Sequence, residues 1–228
     1  MKLTVATLLA AVMAVGTASA ANAAAVTLDS VTGHPLGSQI ETFDALSTGA
    51  PADGTPLSGI GGATLSVTGL TSIVNGSSGG NYAAPNPINP SNPASGIDTT
   101  NYLAVYGGGT ATISLSKAAN YLGLLWGSVD TYNTIKFLGA GDAELASFTG
   151  ADFATHNGDQ SINGTFYANF ISSVPFLKIV LSSSSNSFEV DNIAINTVPL
   201  PAALPLFGAA LAGMGAFGRK RRKAQAAA

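Results

Sequence analysis

The chain has 228 residues, of which only 9% are charged, against roughly 25% in an average soluble protein. It contains no cysteine, which excludes a disulfide framework, a thiolate nucleophile and a cysteine-ligated metal. Between two terminal segments, the chain holds all twelve acidic residues but only three basic ones, Lys117, Lys136 and Lys178. Such an acidic region is not expected to bind nucleic acid through counterion release, although it is suited to binding cations.

The first 23 residues have the layout of a secretory signal peptide. Lys2 supplies a short positive region, Leu3–Val15 forms an apolar run, and small residues follow. Two A-x-A sequences predict cleavage by signal peptidase after Ala20 or after Ala23. An uncleaved membrane anchor is disfavoured because the apolar run is short and no stop-transfer pattern follows it. The protein is therefore predicted to be exported.

The middle of the chain, residues 24–197, is predicted to be one all-β domain. Its short apolar stretches are separated by Gly, Asn, Pro and Ser, and no window favours a helix of about 12 residues. Strands at this spacing predict an antiparallel two-sheet β-sandwich, jelly-roll-like in type. The predicted strands lie within Gln39–Leu46, Ala63–Leu70, Tyr121–Ser128, Asn133–Gly139, Glu144–Thr149, Phe166–Ile171, Phe176–Leu181 and Phe188–Ile195.

A β-hairpin is predicted around the glycine run Gly107–Gly109. In this hypothesis Leu103 and Val105 precede the turn and pair with Ile113 and Leu115 after it.

The stretch 75–101 is predicted to be a long exposed loop. It contains four prolines, at positions 85, 87, 90 and 93, and almost no large apolar side chain, so it forms neither sheet nor core. Loops of this length are either functional or disordered. Function would place Tyr82, Asn86, Asn89 and Asn92 against a sugar, whereas the composition alone suits disorder.

The most distinctive internal segment is Trp126–Phe137, which contains the only tryptophan of the chain. Asp130–Asn133 is predicted to be a turn whose Asp and Asn side chains cap the backbone. The segment is either a tight structural corner with Trp126 in the core, or a loop that stacks on sugar or contacts calcium. Candidate glycan contacts are therefore Trp126, Tyr132 and, from the long loop, Tyr82.

Enzymatic motifs are lacking in the sequence. His34 and His156 lie in predicted loops without zinc-site spacing, and there is no G-x-S-x-G or phosphate-binding loop. Paired carboxylates serve glycoside hydrolysis, but nothing in the sequence indicates a cleft around such a pair here. We therefore predict no catalytic residue and no enzymatic activity. The carboxylate pairs considered are Asp142 with Glu144, and Glu189 with Asp191.

The segment Ser187–Asn196 alternates as a strand except at Asp191-Asn192, and this break predicts a β-bulge. In a sandwich the last strand often returns beside the first, which would bring Asp191 and Asn192 close to Asp44. Carboxylate, amide and carbonyl oxygens suit Ca²⁺. Two hypotheses stay open: a structural calcium ion at these three residues, or a bulge with internally bonded side chains. No other cofactor is expected.

The C-terminal region combines an uncharged stretch, Val198–Gly218, with a basic cluster, Arg219–Lys223. The apolar part, Leu204–Phe217, is short against the roughly 20 residues of a membrane-spanning helix. The basic cluster should stay in the cytoplasm by the positive-inside rule, which leaves the β domain outside. Two prolines make residues 198–202 an extended peptide that is accessible to a membrane-embedded protease.

These three parts in this order resemble the PEP-CTERM sorting signal in its VPLPA variant, which exosortase recognises in Gram-negative bacteria. Leu200 stands where the commoner form has Glu, which fits the variant. The segments Tyr121–Phe137 and Phe188–Ile195 also resemble the ectodomains of exosortase-dependent surface proteins.

The resemblance implies a short transmembrane segment at 203–218, a transient stay in the inner membrane, and delivery to the cell surface or exopolysaccharide matrix. It implies a structural or adhesive role in biofilm or floc; the alternative is a carbohydrate-binding module. Signal peptidase and an exosortase-type protease would be partners, with exopolysaccharide a further candidate. The implied processing motif is Val198, Pro199, Leu200, Pro201 and Ala202, and the implied cytoplasmic anchor is Arg219, Lys220, Arg221, Arg222 and Lys223.

Overall fold

A computed structural model describes residues 26–30, 37–86, 98–153 and 158–198. Within these ranges the protein is mostly β, and its helical segments are 3-10 turns of three residues each. The all-β prediction is therefore confirmed. The strands are β1 (Val26–Ser30), β2 (Gln39–Glu41), β3 (Thr55–Leu57), β4 (Ala63–Thr68), β5 (Thr71–Asn75), β6 (Asn101–Val105), β7 (Thr110–Gly127), β8 (Asn133–Leu138), β9 (Glu144–Thr149), β10 (Phe166–Ser183) and β11 (Phe188–Thr197).

The described strands pair antiparallel in the order β5-β6-β11-β7-β10-β8-β9. Four shorter pairings complete the sheet: β1 with β10, β2 with β11, β3 with β4, and β4 with β7. The longest strands, β7 and β10, have 18 residues each and pair with one another along most of their length. Every other strand is therefore attached to these two strands, either directly or through neighbouring strands.

Both long strands are irregular at the same place. The register of β10 against β7 shifts between Ile171 and Phe176 and again before Lys178, opposite Ala119 and Ser114 of β7. A bulge bends a strand without ending its pairing. This explains why the polar interruption that predicted separate strands at Phe166–Ile171 and Phe176–Leu181 lies inside a single strand.

The core is aromatic at its centre. The Phe137 ring lies 5.2 Å from that of Phe170 and 5.1 Å from that of Phe176, which flank the irregular part of β10. The ring centroids of Trp126 and Phe188 are 4.5 Å apart. All five side chains are fully buried, and each such side chain stabilises the fold by roughly 1.5–3 kcal/mol relative to exposure.

The predicted hairpin around Gly107–Gly109 is wrong. Leu103 of β6 pairs with Ile73 of β5 and Val190 of β11, and β11 lies between β6 and β7 in the sheet. The glycine run instead makes a turn, closed by a 2.8 Å bond from Gly109 N–H to the Tyr106 carbonyl, that leads to a different part of the sheet. Burial of the apolar side chains is compatible with either pairing, so their pattern alone did not identify the neighbour.

The predicted bulge in the last strand is confirmed. The register of β11 against β7 shifts between Asp191 and Ala194, and Asn192 has a φ of 48°. As expected, β11 also pairs with the early strand β2, where Ile193 is opposite Glu41.

That early strand is shorter than predicted and ends at Glu41 rather than Leu46. The buried Glu41 carboxylate accepts hydrogen bonds from the backbone N–H groups of Phe43 (2.8 Å) and Gly59 (2.9 Å). Phe43 has a φ of 57°, so the chain turns here into a compact loop.

Several predicted features lie outside the described residues: the signal peptide with Ala20 and Ala23, motif residues 199–202, the span 203–218 and the basic cluster 219–223. His34, His156, Asn89 and Asn92 lie outside them too. None of the helices that the structure describes is long and apolar enough to cross a membrane.

Candidate functional site

A polar cavity of about 170 Å³ lies at the start of β11. Four parts of the chain meet there: the segment after β5, the turn between β7 and β8, residues 158–160 between β9 and β10, and the residues leading into β11. Two tyrosines, two carboxyl groups, three amide side chains and three serines line the cavity. None of the described lysines or arginines lines it. The lining side chains belong to Tyr82, Tyr132, Asp130, Glu189, Asn81, Gln160, Asn186, Ser77, Ser128 and Ser187.

Glu189 is held in the cavity wall by the backbone on both sides. It lies in β11, opposite Ala104 of β6 and Gly127 of β7. Its Oε1 atom accepts a 2.9 Å bond from the Ala83 N–H and a bond from the Ser187 hydroxyl. The Oε2 atom is buried without a hydrogen-bond partner among the described residues.

This environment makes Glu189 titrate close to neutrality. Burial raises the pKa of its carboxyl to about 7, an effect that the bonds from Ser187 and Ala83 oppose and that the charge of Asp130 reinforces. The site therefore holds a carboxyl group whose charge responds to physiological pH.

Asp130 and Tyr132 form the second wall. The predicted turn is present, since the Asn133 N–H bonds the Asp130 carbonyl at 3.1 Å. Burial raises the pKa of the Asp130 carboxyl. A hydrogen bond from the Tyr132 hydroxyl opposes this rise in part. The same hydroxyl lies 2.8 Å from the Asn186 carbonyl oxygen, so Asp130 and Asn186 share its single proton.

The Asn133 side chain does not cap this turn as predicted. It is fully buried and donates to the Ser187 carbonyl at 3.2 Å, while it accepts a 2.8 Å bond from the Ser183 hydroxyl. It therefore joins the turn to the residues that precede β11.

Among the sugar-contact candidates in the described part of the long loop, Tyr82 is the one that lines the cavity. Its ring lies edge-on to those of Tyr102 (6.4 Å) and Tyr106 (6.0 Å). The neighbouring residues 83–85 are buried, so the prediction of a wholly exposed loop is wrong here. Asn86 does not line the cavity; its amide donates to the Gln160 carbonyl at 3.1 Å.

The structure thus brings Tyr82 and Tyr132 together but excludes Trp126 as a glycan contact. Trp126 is 0% exposed, and its ring packs 4.8 Å from Phe153 as well as against Phe188. The core interpretation of this residue is the one that holds, because its strand lies at the centre of the sheet.

Two of the candidate calcium residues, Asp191 and Asn192, follow Val190 in β11, and the third, Asp44, lies in the loop after β2. Asp191 is 1% exposed, and its Oδ2 accepts a 3.1 Å bond from the Asn192 amide. Burial, followed by a hydrogen bond with Asp98, raises the pKa of Asp191 to about 9. Asp44 accepts a 3.1 Å bond from the Asn101 N–H. Across the described ranges, no three His, Cys, Asp or Glu side chains are grouped to hold a metal, so calcium stays a prediction.

The two carboxylate pairs considered from the sequence have separate partners. Asp142 and Glu144 are exposed and pair with Lys178 (2.6 Å) and Lys136 (3.0 Å). Glu189 bonds Ala83 and Ser187, whereas Asp191 bonds Asp98 and Asn192. The carboxyl groups that share a cavity are Glu189 and Asp130. Sequence reasoning missed this pair because it considered Asp130 only within its own segment, as a turn residue or as part of a loop that contacts sugar or calcium.

No protein-family model matches the sequence, and a comparison with curated proteins gives no significant match.

Proposed function

We propose that this is an exported, non-enzymatic protein of the surface or exopolysaccharide matrix of a Gram-negative bacterium, with a structural or adhesive role. In this proposal an exosortase-type protease processes it within Val198–Ala202. Support comes from the signal-peptide layout and from the proline motif, short span and basic cluster at the other end. In addition, β11 ends at Thr197, so processing at the motif would leave every described strand intact.

The proposal includes a two-layer, jelly-roll-like sandwich. The irregularities of β7 and β10 would bend the sheet so that its two halves face one another. Support comes from Phe137 of β8, whose ring contacts Phe170 before the irregular part of β10 and Phe176 after it. A side chain packed against both halves of one strand is what a core between two layers requires.

We further propose that adhesion occurs through carbohydrate bound in the cavity. The observation that favours this function is the convergence of Tyr82 and Tyr132 with carboxyl and amide groups around one opening. Tyrosine rings pack against the apolar face of a sugar, while carboxyl and amide groups bond its hydroxyls. At about 170 Å³ the cavity is smaller than the roughly 300–1,000 Å³ of drug-sized ligand sites, which suits a single sugar ring.

The sorting proposal is tested by the mass of the C-terminal peptide of the mature protein, isolated from its native host. We expect the peptide to end within Val198–Ala202 and to lack the basic cluster. A peptide that continues intact to Ala228 would overturn processing at the motif.

The binding proposal is tested by glycan-array screening followed by titration calorimetry. We expect Tyr82→Ala and Tyr132→Ala to weaken binding by about fivefold each, since an aromatic contact contributes on the order of 1 kcal/mol. Ile171→Ala, at a residue that is 46% exposed on β10 and does not line the cavity, is the matched control. Glycan binding that survives both tyrosine changes would contradict this site. Release of sugar that stops in Glu189→Gln would instead indicate a hydrolase.

A further inference from the structure

The charge of the cavity is unbalanced. Two carboxyl groups, Asp130 and Glu189, line it, and no basic side chain of the described residues does. Two of the lysines of the middle region, Lys136 and Lys178, pair with carboxylates elsewhere on the surface. The cavity therefore attracts a positive charge that the described part of the chain does not supply.

Glu189 is also incompletely bonded, which is best seen against Glu41. Both are 2% exposed. Glu41 uses both carboxylate oxygens, one for the Phe43 N–H and one for the Gly59 N–H. Glu189 places both its donors on Oε1 and leaves Oε2 without a partner in the described structure. A buried, unsatisfied carboxylate oxygen costs free energy that a ligand donor would recover.

We infer that the cavity binds the protonated amino group of an amino sugar, with the ammonium between Glu189 and Asp130 and the ring beside Tyr82 and Tyr132. An ammonium group has three donors and no acceptor, so it complements two carboxylates. Its bonds to them are charge-assisted and stronger than those of a neutral hydroxyl. This inference rests on the proposed carbohydrate binding and names the class of sugar.

A metal ion fits the same place less well. Ca²⁺ takes six to eight oxygen ligands, and the described residues offer no group of three metal-binding side chains. The tyrosine rings around the cavity would not ligate a hard cation, whereas they favour an organic cation next to their faces. The Asn186 amide is already bonded by the Gly107 N–H (3.0 Å) and to the Gly80 carbonyl (3.3 Å), so the Gln160 amide is the better placed of the lining amides to bond sugar hydroxyls.

The test compares two ligands that differ only in the amino group: glucosamine tetramers and their N-acetylated counterparts. Titration calorimetry of the mature protein at low salt should give at least about tenfold tighter binding of the charged tetramer, because each charge-assisted bond is roughly twice as strong as a neutral one and the ammonium would make two of them. Added salt should reduce the preference. Equal or weaker binding of the charged tetramer would overturn the inference.

Variants separate the inference from general electrostatic attraction. Glu189→Gln should remove the preference for the charged tetramer, so that the two tetramers bind with similar affinity. Glu144→Gln removes the same charge at an exposed position on β9 and should keep the preference. If Glu189→Gln does not fold, Asp130→Asn serves in its place. If both tetramers bind with equal affinity, the inference about the amino group is wrong and the carbohydrate proposal stands. If neither tetramer nor any arrayed glycan binds, the carbohydrate proposal is wrong as well.

Discussion

Glu189 accepts a 2.9 Å hydrogen bond from the backbone N–H of Ala83, a residue 106 positions earlier in the chain. The bond attaches the segment after β5 to the start of the last strand. Because Tyr82 immediately precedes Ala83, the same bond places a tyrosine ring at the cavity. The buried Glu189 carboxyl group thus positions the Tyr82 ring in one wall of the cavity and itself forms an acidic part of the lining.

The raised pKa of Glu189 predicts that the protein loses stability as pH rises. The pKa is about 7 in the folded state, against 4.5 for an unperturbed glutamate side chain. Between these values the folded protein retains a proton that the unfolded chain has released, so the free energy of unfolding falls with rising pH. We expect a loss of about 3 kcal/mol between pH 4.5 and pH 7 from this group, measured by urea unfolding.

Glu189→Gln should remove that part of the pH dependence, because the amide does not titrate. Its oxygen can still accept the bond from Ala83, so the local structure should be kept. Glu144→Gln, which removes an exposed carboxylate, should leave the pH dependence in place. The same decline in Glu189→Gln as in the wild type would mean that another group is responsible.

Asp191 extends the decline to higher pH. Its pKa of about 9 means that the folded state still holds this proton at pH 8, so stability continues to fall until about pH 9. We expect Asp191→Asn to flatten the unfolding free energy between pH 7 and pH 9, because its amide can replace the protonated carboxyl as a donor to Asp98. An unchanged slope in this range would show that Asp191 is ionised in the folded protein.

The aromatic centre of the core should be sensitive to truncation. Phe137→Ala is expected to cost about 3–5 kcal/mol, the range for a large aromatic side chain replaced in a packed core. Leu70→Ala, at a residue that is 68% exposed, should change stability by less than about 0.5 kcal/mol. Denaturant unfolding of both variants checks this, and similar small losses in the two would indicate a loosely packed interior.

Two glycines offer a matched test of close backbone packing. A Cβ atom added at Gly59 would lie 1.8 Å from the Ile40 carbonyl oxygen, whereas one added at Gly79 would have nothing within 4 Å. Gly59→Ala should therefore destabilise the protein by about 1–3 kcal/mol or more, and Gly79→Ala should be close to neutral. Thermal unfolding of the two variants measures the difference. Equal melting temperatures would mean that the loop between β3 and β4, which holds Gly59, moves freely away from β2.

Local patterns predicted individual strands well and their neighbours poorly. Alternation bounded by turn residues indicated Ala63–Leu70, Asn133–Gly139 and Glu144–Thr149, and strands occupy nearly these positions. The short strands β1, β3 and β5 were missed because three to five residues carry too little periodicity. The hairpin at Gly107–Gly109 failed because strand pairing is non-local: β11, more than 80 residues later, lies beside β6.

The candidate site shows the same division. Tyr82 and Tyr132 could be selected as polar aromatics in turn-rich segments, and the structure places them at one cavity. The partnership of Glu189 with Asp130 could not be seen, since 59 positions separate residues that only the folded sheet brings together. The environment of each carboxyl group, which sets its charge, depends on burial that no short sequence window records.

The cavity and the last described residue, Val198, lie at opposite ends of β11. Glu189 is its second residue, and Val198, just after its end, donates a 2.8 Å bond to the Ala118 carbonyl of β7. A ligand in the cavity and an attachment beyond Val198 would therefore pull along one strand about 30 Å long. Its hydrogen bonds to β2, β6 and β7 would then be loaded together in shear rather than opened one by one, and under the proposed adhesive role the domain would resist stretching along this strand.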